Sequence, residues 1–380
     1  MYPLWLKRRP RAGHADPAEP AAWPSLSIVV AAHNEENAIG AKLDDLLSQD
    51  YPGTAEIIVA SDASEDRTDE IVRSYEDRGV RLVRQEERRG KSLAQNLACE
   101  QAAGDILVFT DASVLLGPGA LRHLVRGFSD ETIGCVTGED VSGAASSADA
   151  SAGAGAYTGF EKKLRRLEVE RTGTLIGVSG CLFAVRRFLR PEVPAEAVDD
   201  LYVPLSVVSR GFRVTVADGA PAYVKRTKDL SQEYRRKIRT FTGGLFTVAA
   251  LWKTHDRTAL DRARAMIWGH KILRWLGPFF LAAQFLASAF LSPRHPLFLL
   301  WFVAQVVLFN VGLYGVAVLS RAAGKEGHVP VVRVFGKIVR LTAFFLVTQT
   351  ALLAAWLRFL TGRPFATWAP TRRAEAGEAL

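Results

Sequence analysis

The chain has 380 residues, with 48 Lys and Arg against 40 Asp and Glu, a net charge of +8. That surplus is small for the length and widely spread, which speaks against nucleic acid as a partner. Three cysteines (Cys99, Cys135, Cys181) without a Cys-x-x-Cys pair exclude a disulfide scaffold and a thiolate zinc site.

The apolar fraction is 48% and the mean hydropathy +0.07, so apolar sequence must be concentrated in part of the chain. Residues 1–24 are rich in Pro, Ala and Arg. Their apolar start is too short for a signal-peptide core, and Lys7-Arg8-Arg9 follows it instead of preceding it, so a flexible tail is expected. From Leu26 to about Gly138, β-rich runs alternate with helical periods. LSIVVAA (26–32) reads as a buried strand, and Ile39, Leu43, Leu46 and Leu47 then fall on one helical face. Strands at 56–61, 80–83 and 106–110 alternate with helices at 66–78, 91–103 and 121–128. Strands separated by single helices require right-handed crossovers and predict an α/β fold with a Rossmann-like, mostly parallel sheet. No Gly-x-Gly-x-x-Gly follows the first strand, which disfavours a dinucleotide-binding dehydrogenase.

Residues 142–155, mostly Gly, Ala and Ser, read as a flexible loop. A charged helix (160–171), a Gly-punctuated stretch GTLIGVSGCLFAVRR (173–187), a helix (199–210) and a strand (212–217) follow. Seven basic residues between Lys225 and Arg239 suit interfacial helices over 231–274, facing anionic head groups. Residues 275–291, 296–319 and 341–357 then carry no charge over 17, 24 and 17 positions, which predicts about three membrane helices within a membrane domain at 275–360, followed by a tail at 361–380. Basic residues flank the first span and the linker before the third, whereas the hairpin tip has only Arg294; the large N-terminal domain (25–230) is therefore expected in the cytoplasm. The basic tail after Leu357 conflicts with three full crossings and leaves a re-entrant or tilted last segment open.

In an open parallel sheet, ligands sit beyond the carboxyl ends of the strands. There this sequence places His33-Asn34-Glu35-Glu36, Ser61-Asp62 and Asp111-Ala112-Ser113. Each alone could cap a helix. Together, at one sheet edge, they could hold a base and ribose and anchor a divalent cation. A departing diphosphate needs its charge neutralised; Mg²⁺ or Mn²⁺ would do this, with Asp111 as protein ligand and Ser113 as a weak second. Lys91, after Arg88-Arg89-Gly90, opens a helix and suits phosphate, or is part of a solvated basic turn. Of the neighbours Asp199 and Asp200, only one can face a site. A carboxylate so placed could take the proton of an attacking hydroxyl, or simply cap its helix. An arginine among the basic residues before the spans could clamp a diphosphate.

The order of these motifs resembles the family 2 glycosyltransferases, membrane-anchored inverting enzymes with a GT-A catalytic fold. The pieces are SIVVAAHNEE (27–36), IIVASDASEDRT (57–68), RRGKSLAQN (88–96), ILVFTDAS (106–113), GVSGCLFAVRR (177–187), DDLYVPLSVVSRGFRV (199–214) and QEYRRKIRTFTGG (232–244). The resemblance implies that Ala32, Asn34, Glu35 and Asp62 face the nucleotide, with Asp62 near the base. Asp111 stands where the DxD aspartate binds ribose and metal-diphosphate, Asp200 where the general base stands, and Gln232 and Arg235 match the Gln and Arg of QxxRW. Gly180, Cys181 and Asp199 fall on the acceptor side. Ser113 replaces the second Asp of DxD, and Arg236 replaces the Trp that lines the acceptor site in processive synthases. The expectation is a plasma-membrane, multi-pass enzyme moving one sugar at a time from a nucleotide diphosphate, UDP by default, to a hydroxyl of a lipid, lipid-linked or glycan acceptor. A processive polysaccharide synthase and a non-catalytic nucleotide sensor are the rivals.

Overall fold

The computed structural model describes residues 2–13, 18–142, 152–224, 230–254, 257–322 and 336–365. In chain order the elements are α1 (Tyr2–Lys7), β1 (Leu26–Ala32), α2 (Ile39–Leu47), β2 (Ala55–Ser61), α3 (Thr68–Arg73), β3 (Val80–Arg84), α4 (Lys91–Glu100), β4 (Ile106–Asp111), β5 (Val114–Leu116), α5 (Ala120–Arg126), β6 (Ile133–Ser142), α6 (Ala152–Thr172), β7 (Leu182–Arg186), α7 (Asp199–Ser209) and β8 (Arg213–Val224). After the sheet come α8 (Leu230–Thr254), α9 (Arg257–Met266), a π-helical turn (Ile267–Ile272), α10 (Leu273–Trp275), α11 (Gly277–Leu291), α12 (Pro296–Ala322) and α13 (Gly336–Leu360).

The eight strands form one sheet in the order β3-β2-β1-β4-β7-β6-β8-β5. Its first half, β3 to β4, is parallel, as expected. Beyond β4 the sheet is mixed: β7 runs antiparallel to both β4 and β6, β8 is parallel to β6, and β5 is antiparallel to β8. The central strands read as unbroken apolar runs because both faces are covered: every residue of β1 is buried. One face packs on α2, α5 and their neighbours through Val30, Leu43, Val108 and Leu124. The other packs on α4, α7 and α8 through Val29, Phe109, Val203 and Leu245, and this core runs on to Trp275 and Leu352 of the apolar helices.

Two expectations change here. Residues 2–7 of the anticipated tail are helical, with Leu6 fully buried. The last apolar segment is not the bent one: Pro296–Val318 and Ile338–Leu360 are each long and apolar enough to cross a membrane, whereas the first segment is a pair, Ala263–Trp275 and Gly277–Leu291, bent by 56°. Only 6% of the Pro296–Val318 window is buried within the protein, which leaves its apolar surface exposed, against 33% for Ile338–Leu360, which also packs on α8 and α12. Gly315 lets α12 approach α13 closely, since a Cβ there would stand 2.8 Å from the Val339 carbonyl oxygen. The anticipated Gly-Ala-Ser loop lies largely outside the described residues.

Candidate active site

Register fixes the edge of the site. Ala32 at the end of β1 pairs with Ser61, and Ala31 pairs with Asp111, so the next residues of β1, β2 and β4 emerge side by side. Asp62 and Asp111 therefore flank β1 at about two strand spacings, roughly 10 Å. The loops after β1 and β2 interlock through Asn34, whose backbone is left-handed (φ 52°) and whose Oδ1 accepts from Glu65 N at 2.8 Å. Glu35 N donates to Thr68 Oγ1 at 2.8 Å, and Ala32 O accepts from Asp62 N at 2.9 Å. The buried carboxylate of Asp62 accepts from Gln85 Nε2 (3.0 Å), Arg89 N (2.8 Å) and Gly90 N (2.9 Å). It thereby sets the turn, through Gly90 at φ 98°, from which α4 starts.

Helix α4 is then pinned to the segment entering α7. Ser92 Oγ donates to Ala197 O and Asn96 Nδ2 to Val193 O, both at 2.9 Å. Two helix N-termini, at Lys91 and Asp199, thus meet over the end of β4, where their dipoles favour anions. Lys91 Nζ lies 3.0 Å from Asp111 Oδ1 and 3.2 Å from Asp199 Oδ2, joining acids that are 88 residues apart in sequence. Burial opposes the charge on Lys91, but Asp111 and Asp199, with Asp200 behind them, outweigh it and hold the ammonium above its usual range.

Asp200 stands beside this bridge. A Cβ on Gly180 would come within 3.3 Å of Asp200 Oδ2, so the Gly177–Cys181 loop passes directly over the carboxylate. Burial and the charge on Asp199 push Asp200 up to about 6, while Lys91, Lys271 and Arg165 pull it down. A carboxylate with that proton affinity is suited to accept a proton near neutral pH. Cys181 closes the loop through its N–H to Ser179 Oγ at 3.1 Å.

Helix α8 packs on α13 and is held to the start of α7 by Val198 N donating to Thr247 Oγ1 at 2.9 Å. Arg235, which matches the arginine of the motif, is exposed; Gln232 is half-buried, with no hydrogen-bond partner for its Oε1 among the described residues. Arg239, one turn further on, lies within electrostatic reach of Asp111. Burial and the neighbouring Arg236 lower its guanidinium to about 10, and Asp111 works in the opposite direction. It lay inside the quoted motif, but nothing in the sequence sets it apart from Arg235 and Arg236. Lys42 was also missed. Its ammonium is wholly buried behind Asp111, 3.6 Å from Asp45 Oδ2, and burial draws it down to about 8 against the pull of Asp45 and Asp111.

Ser113 sits two residues past Asp111, half-buried in the turn to β5. The described residues hold no cluster of three or more His, Cys, Asp or Glu able to cage a metal alone. One carboxylate and one hydroxyl still fit a hard cation that takes most of its ligands from phosphate and water.

Residues 27–190 match the family model described as Glycosyl transferase family 2. An N-acetylglucosaminyltransferase of Mesorhizobium japonicum is 28% identical over 144 residues, covering 37% of this chain and 33% of that protein. A β-monoglucosyldiacylglycerol synthase of Synechocystis sp. is 34% identical over 126 residues, covering 31% and 26%. The chain thus spans about a third or less of the length of these curated relatives. Among solved structures, a mannosyltransferase from Pyrobaculum calidifontis in complex with GDP-Man and Mn²⁺ superposes with a TM-score of 0.67 over 95% of each chain, at 21% identity. The segment that carries Asp62, Lys91 and Asp111 belongs to glycosyl transferase family 2, and the fold that presents it is of the GT-A type.

Proposed function

We propose that the chain is a membrane-anchored, inverting glycosyltransferase that moves one sugar from a nucleotide diphosphate donor to a hydroxyl of a lipid, lipid-linked or glycan acceptor. The observation that carries this reading is the meeting of Asp111, Lys91, Asp199 and Asp200, from three distant parts of the chain, at the carboxyl edge of the parallel strands. The base and ribose lie along Asn34, Glu35 and Asp62, and the diphosphate reaches Lys91 and Arg239. Asp200 takes the proton of the acceptor hydroxyl, whose oxygen attacks the anomeric carbon from the face opposite the diphosphate. Lys91 and Arg239 stabilise the charge that gathers on the leaving group. A Mg²⁺ or Mn²⁺ ion, when bound, would be held by Asp111 with Ser113 and would supply further charge neutralisation. The catalytic domain faces the cytoplasm.

The deciding experiment is a donor screen by nucleotide release, on detergent-purified full-length protein supplied with a membrane lipid extract, with and without chelator. One donor should be turned over with one sugar added per acceptor. A ladder of products would establish a processive synthase, and tight nucleotide binding without turnover of any donor a sensor.

A further inference from the structure

Behind the catalytic loop lies a buried ionic chain that the mechanism above does not use. The phenol of Tyr2, on α1, donates to Glu168 Oε1 of α6 at 2.7 Å. The same oxygen lies 2.7 Å from His270 Nδ1, and His270 Nε2 lies 2.8 Å from Glu161 Oε1. Glu161 also holds Arg274 at 2.8 Å and Lys271 at 3.6 Å. Glu168 and His270 are 0% and 2% exposed, so these contacts are shielded from water and costly to leave incomplete. Burial opposes the charge on Glu161, yet Lys271, His270 and Arg274 hold its carboxyl well below the usual range. Burial and Glu168 push the Tyr2 phenol up, so it remains a donor.

The far end of the chain is the candidate base. A Cβ on Gly177 would lie 3.4 Å from Lys271 Nζ and 3.9 Å from the Asp200 carbonyl oxygen. His270 and Lys271 both sit in the six-residue π turn, a geometry that recurs at functional sites. Tyr2 seals the other end. Its ring stacks on His270 with centroids 6.1 Å apart, and any Cβ on Gly269 would collide with it.

We infer that Tyr2 is a positioning residue: through Glu168, His270 and Glu161 it fixes Lys271 beside Asp200, coupling the N-terminal helix to the base. The coupling to catalysis rests on the proposed function; the ionic chain itself does not. The charged groups facing Asp200 are Asp199 on its own helix, Lys91 from α4, Arg165 from α6 and Lys271 from the π turn.

The test uses full-length protein in detergent. Acetic anhydride labelling of Lys271, read by mass spectrometry, should rise several-fold in Tyr2→Phe and Glu168→Gln and stay at the wild-type level in Leu4→Ser, which alters an exposed residue of the same helix. With the donor identified by the screen, Tyr2→Phe should lower kcat by roughly tenfold, short of the 10²–10⁴ a general base itself contributes, at unchanged donor KM. The acid limb of kcat should also move to higher pH, because a displaced Lys271 no longer favours the charged form of Asp200. Lys271→Met should reproduce that displacement of the limb and Lys271→Arg should largely restore it. Unchanged labelling in Tyr2→Phe, or a lowered melting temperature with an unmoved acid limb, would overturn the inference. If no donor is turned over by the wild type, the functional reading fails while the labelling still decides the ionic chain.

Discussion

At the scale of single residues, Asp200 and Arg239 carry the sharpest tests. Asp200→Asn should lower kcat by roughly 10²–10⁴ while leaving nucleotide affinity within a few-fold, measured by single-turnover transfer and by nucleotide titration. In the wild type, kcat should fall as pH drops through about 6, where the carboxylate gains its proton. Stability runs the other way. Folding raises the proton affinity of Asp200, so its charged form is less favourable in the native state than in the unfolded chain. The resulting penalty is absent below the ordinary aspartate range, grows as pH rises and is complete above about 6. Asp200→Asn should therefore raise the melting temperature at pH 7.5 relative to wild type and leave it nearly unchanged at pH 4. Arg239→Ala should cost roughly 10²–10³ in kcat, as loss of a leaving-group donor does, whereas exposed Arg235→Ala should cost little. Equal losses would remove the distinction between them. The acids and Lys91 were legible as candidates because each follows a strand or opens a helix. Arg239 was not, because which of several arginines on α8 faces inward depends on how that helix packs against α7 and α13, and Arg235 and Arg236 carry the same charge one turn earlier.

At the scale of elements, the parallel half of the sheet was readable to within a residue or two, since β1, β2 and β4 are buried apolar runs bounded by polar turns. Of the mixed half only β8 was, as the strand expected at 212–217. Strand β7 is only five residues long and follows Gly180 in a stretch punctuated by glycines, which reads as a loop. Strand β6 is interrupted by register shifts at Ile133/Cys135 and Thr137/Glu139, which break the two-residue alternation. Those strands nonetheless deliver the loop that passes over Asp200, since residues 177–181 lead straight into β7. Gly180→Ala forces a contact of 3.3 Å with Asp200 Oδ2, so the carboxylate or the loop must give by a few tenths of an ångström. It should reduce kcat by roughly tenfold or more through that misplacement, with only a small change in melting temperature, as read by kinetics beside thermal unfolding. A loss of stability without loss of kcat would show the loop to be remote from the chemistry.

At the scale of the whole molecule, the catalytic domain and the apolar helices share one continuous core, from Phe109 on β4 through Leu245 on α8 to Leu352 on α13. The apolar runs were evident from composition alone, but which of them bends was not: α11 has 15 residues, short of a full crossing, and it meets the helices before it at an angle of 56°. On the proposed cytoplasmic orientation of the catalytic domain, a cysteine replacing Ser292 or His295 at the hairpin tip should react with an impermeant maleimide added outside intact cells, and one replacing Ser74 should react only after lysis. The reverse pattern would invert the orientation.

The ion pairs of Lys91 have a consequence for the order of events. While its ammonium is shared between Asp111 and Asp199, it also lowers the proton affinity of Asp200. A diphosphate that draws Lys91 toward itself would strengthen the base at the moment a sugar is in place, and leave it weak when none is. The base would then be at full strength only with a donor in place, and substrates should add in sequence, nucleotide sugar first. A dead-end acceptor analogue should accordingly inhibit uncompetitively against the donor; competitive or noncompetitive patterns would show that Lys91 sets no such timing.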